Sequence, residues 1–202
     1  MIIKVCGMRD GRNIREAEQL AIHWMGFIFW PKSSRFVASV PDYLPRHISR
    51  VGVFVDASQE DVARHIEDYR LDIVQLHGHE SPAFCASFRH VKVMKAFNIA
   101  TVGDLLQTRA YEGSADYFLF DTKGKAVGGI GEKFDWSVLS AYNGQTPFLL
   151  SGGIGPDDAA RVSAFRHPQC IGIDLNSRFE TVPGLKDIKR LNTFIHQLNS
   201  NE

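Results

Sequence analysis

A chain of 202 residues with 23 basic and 23 acidic side chains carries no net charge. It has no global field to draw in a nucleic acid or an anionic membrane, so any anion it binds must be held locally. Its three cysteines, Cys6, Cys85 and Cys170, form no close pair, which excludes a disulfide framework or a CxxC metal or redox site and points to a reducing cytoplasm.

The predicted elements alternate from the first residues onward. The runs "IIKVCG" (2 to 7), "WMGFIFW" (24 to 30), "VGVFVD" (51 to 56), "IVQLHG" (73 to 78), "VKVMKAF" (91 to 97), "YFLFDT" (117 to 122), "PFLLSGG" (147 to 153) and "CIGIDL" (170 to 175) are strand length. Most are apolar on both faces, as strands covered by helices on one side and by core on the other should be. Helix-like segments lie between them. "SQEDVARHIEDY" has Ser58 and Asp61 at capping-box spacing, with Val62, Ile66 and Tyr69 on one face. Ser81 caps "SPAFCASF" with Pro82 at its first helical position, and Pro156 opens "GPDDAARVSAF". "DIKRLNTFIHQL" places Leu191, Phe194, Ile195 and Leu198 on a stripe. The connection 33 to 50 is broken by Pro41 and Pro45, so its helix should be short or irregular. The apolar window 21 to 30 is too short for the roughly 20 residues of a membrane span. The N-terminus carries no charged-apolar-small leader pattern.

Eight strand-helix units at roughly 25 residues each predict a closed (β/α)8 barrel, an α/β fold, as a single domain over residues 1–202. A doubly wound open sheet is the rival, because alternation alone does not report closure. In either fold ligands bind at the carboxyl ends of the strands, so the residues there form the candidate list.

Cys6 ends the first run, Asp121 the sixth and Asp174 the eighth. A cysteine in that place can also be a small apolar filler, and Asp121 a cap or a salt-bridge partner. In "LSGGIGPDD" the adjacent Gly152 and Gly153 let backbone amides converge on a phosphate, with the following helix aimed the same way, although an ordinary tight turn reads alike. Asn176 and Ser177 lie in the next loop, and phosphate sites in such barrels are often built from the loops after strands seven and eight. Arg35, in "PKSSRFV", offers a fork suited to a carboxylate, or merely surface charge. The stretch "KGKAVGGIGEKFDW" (123 to 136) lacks the dinucleotide spacing and reads as a lid over a phosphorylated substrate. His77 and His79 have no evident third ligand nearby, so no metal is expected.

The motifs "KVCGMRD", "GFIFWPKSSRFV", "VQLHGHE", "FLFDTKG", "GGIGEKFDW", "LSGGIGPDD" and "GIDLNS" fall in order over nearly the whole chain. Together they resemble the phosphoribosylanthranilate isomerase family of tryptophan biosynthesis. The resemblance implies a cofactor-free Amadori rearrangement of N-(5'-phosphoribosyl)anthranilate to 1-(2-carboxyphenylamino)-1-deoxyribulose 5-phosphate. It implies Cys6 as general base and Asp121 as general acid. It implies Arg35 on the anthranilate carboxylate, phosphate held around Gly152, Gly153, Asn176 and Ser177, and Asp174 near the ribose. The expected partner is a small phosphorylated substrate, with no nucleic acid or membrane, and the chain is a monomer or homodimer.

The chemistry asks for such groups in its own right. Opening a furanose needs a proton delivered to the ring oxygen, and the next step removes a C2' proton, for which a thiolate serves if its site lowers the thiol pKa toward neutrality. Three positions depart from the family pattern. Ser34 replaces a common Pro, predicting a looser second loop. Ile130 supplies no hydroxyl, and Arg178 replaces a glycine, which restricts the backbone unless φ stays negative there. Two alternatives keep part of this picture: another phosphosugar isomerase or epimerase without use for Arg35, and a non-catalytic barrel that needs neither Cys6 nor Asp121.

Overall fold

The computed structural model describes residues 1–122 and 135–200. Eight strands, β1 (Ile2–Val5), β2 (Trp24–Ile28), β3 (Ser49–Phe54), β4 (Ile73–Leu76), β5 (Lys92–Ile99), β6 (Tyr117–Thr122), β7 (Phe148–Ser151) and β8 (Cys170–Leu175), close into a barrel in sequence order. Every neighbouring pair is parallel, and β1 closes on β8 with Lys4 opposite Asp174. The open-sheet alternative is thereby removed.

The barrel interior is plugged by side chains. Trp24, Val51, Ile73, Met94, Leu119 and Leu149 meet there, with Ile2, Tyr117 and Ile171 against them. A second apolar layer, including Ile14, Phe27, Phe54, Val62, Phe120, Leu191 and Phe194, joins the outer faces of the strands to the helices. Each such large side chain contributes about 1.5–3 kcal/mol by leaving water. This explains why the strand runs read as apolar on both faces.

Helices α1 (Gly11–Ala17), α2 (Gln59–Tyr69), α3 (Pro82–Cys85), α4 (Ala159–Ala164) and α5 (Ile188–Asn199) supply the outer ring. Their starts follow the local chemistry: Ser58 Oγ accepts from Asp61 N at 3.1 Å, and Ser81 Oγ accepts from Phe84 N at 3.2 Å with Pro82 next to it. Residues 29–48 form no helix between β2 and β3, as the two prolines foretell. After β5 and β6 the ring is completed by 3-10 segments, Val102–Tyr111 and Trp136–Ala141.

Two features differ from the expected pattern. The helix after β7 does not begin at Pro156. A 3-10 turn, Pro156–Asp158, intervenes, and Asp158 Oδ2 accepts from Gly155 N at 2.8 Å, so α4 starts only at Ala159. Beyond β8 a further 3-10 turn, Ser177–Phe179, leads into a small antiparallel hairpin of β9 (Glu180–Val182) and β10 (Leu185–Lys186) outside the barrel sheet. Its turn is Pro183-Gly184, with Gly184 at φ +84°.

Candidate active site

A cavity of about 280 Å³ opens at the carboxyl ends of the strands, and every candidate residue lines it: Cys6, Arg35, Asp121, Gly152, Gly153, Asp174, Asn176 and Ser177. Ile28, Val53, Gln75 and His77 complete much of the wall. The expected lid residues 123–134, with Ile130 among them, lie outside the described residues.

Cys6 immediately follows β1. Its N–H donates to Leu175 O at 2.9 Å, so the closure of β1 on β8 fixes its backbone. The residue is 3% exposed and its sulfur lies against Gly26 of β2. A Cβ on Gly26 would stand 2.7 Å from Cys6 Sγ, so the sulfur takes its place because β2 has no side chain there. Strand alternation puts Lys4 on the same face as Cys6. Lys4 is fully buried, and its Nζ donates to Asp174 Oδ1 at 2.9 Å.

Burial pushes the Cys6 thiol above its ordinary value against the pull of Lys4; Asp174 pushes it the same way, and Lys186 opposes it. The condition set for a thiolate base, a thiol lowered toward neutrality, is therefore not met by this site at rest. Desolvation outweighs two nearby ammonium groups. Burial likewise works against the Lys4 ammonium, yet Asp174 and Cys6 together raise its pKa, so the cation persists beneath the sulfur.

Asp121 sits near the end of β6, in register with Asn98 of β5 and Ser151 of β7. Its Oδ2 lies 3.7 Å from His77 Nε2, and Gln75 Nε2 stands 3.2 Å from His77 Nδ1. His79 goes elsewhere: its ring pairs with Asp56 at 3.1 Å, and its backbone N–H also reaches that carboxylate. The two imidazoles of "HGH" thus serve different neighbours.

Arg35 is tied on one edge. Its Nε donates to both Glu180 oxygens, at 2.8 and 3.0 Å, and Nη2 donates to Glu180 Oε2 at 2.6 Å. Gly7, at φ +79°, makes room: a Cβ there would meet Arg35 Cδ at 2.7 Å. Nor is the second loop unsupported without its proline. Ser34 O accepts from Arg9 Nη1 at 3.1 Å, Arg9 Nη2 donates to Pro183 O at 2.9 Å, and Arg35 N donates to Ser33 Oγ at 3.1 Å.

The loops after the adjacent strands β7 and β8 lie side by side on the cavity rim. Gly152 and Gly153 have φ +95° and +68°, a region where other residues are strained. Arg178 is not among the described residues with positive φ, so the lost glycine imposes no strain there. Since Gly155 N–H is occupied by Asp158 and α4 begins late, the loop is not the direct glycine-to-helix cradle that the sequence suggested.

Sequence reading missed Lys4, Gly26, Glu180 and Lys186. The Pro183-Gly184 pair was the available sign of a hairpin that would return to the site.

The fold and cavity define a class: a (β/α)8 barrel with a thiol and a carboxyl group across one cavity at the strand ends, where barrel enzymes build their active sites. The particular family follows from comparison with known proteins. A model described as "N-(5'phosphoribosyl)anthranilate (PRA) isomerase" matches residues 3–197, and the chain belongs to that family. An N-(5'-phosphoribosyl)anthranilate isomerase of Parabacteroides distasonis is 52% identical over 98% of this chain and 93% of its own length. A solved phosphoribosyl anthranilate isomerase in complex with reduced 1-(o-carboxyphenylamino)-1-deoxyribulose 5-phosphate superimposes with TM-score 0.85 at 27% identity, covering 99% of this chain and all of that one. A structure of "mutually generated monomers" of the dimeric isomerase from Thermotoga maritima gives TM-score 0.84 at 27% identity, with the same coverage.

Proposed function

We propose that this cavity carries out the Amadori rearrangement of N-(5'-phosphoribosyl)anthranilate to 1-(2-carboxyphenylamino)-1-deoxyribulose 5-phosphate, as a step of tryptophan biosynthesis. Asp121 gives a proton to the furanose ring oxygen as the C1'–O bond breaks, leaving an open-chain iminium. Cys6 then takes the C2' proton through its thiolate, the minor form while burial holds the thiol pKa up and one whose charge Lys4 opposes as it forms, and the electron pair moves toward nitrogen to give an enolamine. Loss of the 2'-hydroxyl proton and protonation at C1' deliver the ketose. Each proton-transfer group is worth about 100- to 10,000-fold.

The observation that carries this reading is the joining of Cys6 and Asp121, from non-adjacent strands β1 and β6, on one cavity that also presents Arg35 and the Gly152-Gly153 loop. Arg35 takes the ring carboxylate. The Gly152-Gly153 loop, Asn176 and Ser177 take the phosphate, with Asp174 toward the ribose. Lys4 beneath Cys6 offsets negative charge as the thiolate forms. No cofactor enters these steps.

The reading extends to residues 1–202 as one domain, a monomer or homodimer working in the cytoplasm without nucleic-acid partners. Among the described residues no helix is long and apolar enough to cross a membrane. The test is turnover of substrate generated in situ from anthranilate, followed by loss of its fluorescence with no metal or nucleotide added to the isomerase step. A protein-dependent rate yielding the carboxyphenylamino ketose supports the proposal; no rate from folded protein overturns it.

A further inference from the structure

Arg35 is held by residues that lie far from it in the chain. A guanidinium presents two edges to carboxylates, one formed by Nε and Nη2 and one by Nη1 and Nη2. Glu180 occupies the first edge from both of its oxygens. At the second edge, Nη1 makes a 3.5 Å contact with Ser34 Oγ, while Arg35 lines the cavity. Glu180 is itself buried, with its side chain 4% exposed, and accepts from Lys186 Nζ at 2.6 Å and Gly184 N at 3.1 Å. Lys186 is fully buried and also donates to Asn176 Oδ1 at 2.8 Å.

We infer that Glu180 and Lys186 are positioning residues for recognition of an aromatic carboxylate: Glu180 fixes the guanidinium with its Nη1–Nη2 edge toward the cavity, and Lys186 keeps the buried cluster positively charged. This rests on the reading of Arg35 as the carboxylate clamp. The charge arrangement gives the reason for a second cation. Arg35 and Glu180 alone would be neutral and would attract a carboxylate weakly. With Lys186 the trio retains one positive charge, which the incoming carboxylate neutralises. The hairpin of β9 and β10 thereby has a function: its first strand brings Glu180, its second brings Lys186, and its turn is anchored to the second loop through Arg9.

The experiment compares two ligands by calorimetry: reduced 1-(o-carboxyphenylamino)-1-deoxyribulose 5-phosphate and the same compound with an unsubstituted phenyl ring. Wild-type protein prefers the carboxylated ligand. Glu180→Gln leaves the cluster with one more positive charge but frees the guanidinium from its aim; the aiming role predicts that the preference still falls roughly 10- to 100-fold, the range of a charged hydrogen bond, while affinity for the phenyl ligand stays within about 2-fold. Glu180→Asp recovers part of the preference, and Lys186→Met loses part of it. Thermal melts of each variant confirm the folded state, and the shorter Glu180→Asp change keeps the test informative if Glu180→Gln fails to fold.

Equal weakening of both ligands in the Glu180 variants would mark a merely structural role and overturn the inference. If Arg35→Met removes the preference but the Glu180 variants retain it, only the aiming role is refuted. If Arg35→Met leaves the preference intact, the carboxylate clamp itself fails and this inference falls with it.

Discussion

Replacing Gly26 with alanine tests whether the Cys6 sulfur must sit where β2 leaves room for it. The new methyl would lie 2.7 Å from Sγ, 3.1 Å from Cα and 3.3 Å from Cβ of Cys6, where ordinary contacts fall at 3.4–4 Å. The backbone has little freedom to yield, because Cys6 N donates to Leu175 O and both Gly7 N and Met8 N donate to Gly26 O. Rotating the cysteine side chain relieves the sulfur contact, but the 3.1 Å approach to Cα also forces the backbone to shift; a sulfur displaced by roughly 1 Å can lower a rate about 100-fold. Overpacking of this kind costs about 1–3 kcal/mol, and a chain of this size loses roughly 2–4 °C in Tm per kcal/mol. The assay pairs steady-state turnover of N-(5'-phosphoribosyl)anthranilate with a thermal melt. A variant that melts several degrees lower yet keeps wild-type kcat would refute the argument that sulfur position governs turnover.

The remaining predictions concern charge and loop geometry. In the substrate-free protein, alkylation of Cys6 by iodoacetamide should still be accelerating as the pH rises past 9.0, the ordinary value above which burial pushes this thiol. A rate that levels off below neutrality would contradict it. For Glu180, burial alone would raise the carboxyl, but donation from Arg35 and Lys186 holds it at about 2, below its ordinary 4.5. A carboxyl lowered in the folded state contributes stability that is fully present above 4.5 and is lost as the pH falls through about 2. After solvent screening this amounts to something on the order of 2 kcal/mol. Acid unfolding of Glu180→Gln should accordingly be flatter than wild type across that window, and parallel profiles would refute it. Gly153→Ala should raise KM for the phosphorylated substrate and weaken inhibition by inorganic phosphate with little change in kcat. Among the described residues, no atom beyond the chain neighbours would lie within 4 Å of the new Cβ, so the expected effect comes from φ +68°; unchanged phosphate inhibition would count against the loop's role.

Much of the barrel was legible because its strands are buried on both faces. Runs such as Tyr117–Thr122 and Phe148–Ser151 stand out against the polar stretches between them. Ser81 with Pro82 and the stripe of Leu191, Phe194, Ile195 and Leu198 likewise announce α3 and α5 through local chemistry. The candidate list was legible for a topological reason: once the units alternate, strand-end residues such as Cys6 and Asp121 must share a rim.

What stayed hidden depends on contacts across the fold. Lys4 lies within a strand and acquires its significance from Asp174, 170 positions away in the chain. Gly26 matters because Cys6 is beside it on the neighbouring strand. The hairpin strands, Glu180–Val182 and Leu185–Lys186, are too short for a period-two pattern to emerge. Their Pro-Gly turn gives a bend without revealing that Glu180 will meet Arg35. The direction of the Cys6 shift was hidden for a related reason, since it depends on the balance between burial and the charges that Lys4, Asp174 and Lys186 bring to the sulfur.

In the proposed mechanism Asp121 supplies the proton that opens the furanose and Cys6 removes the proton at C2'. Its most direct test is turnover of N-(5'-phosphoribosyl)anthranilate by Cys6→Ala and Asp121→Asn, each checked for a native melt. The predicted result is a loss of about 100- to 10,000-fold in kcat for each variant. Wild-type kcat in either folded variant would contradict the claim for that residue.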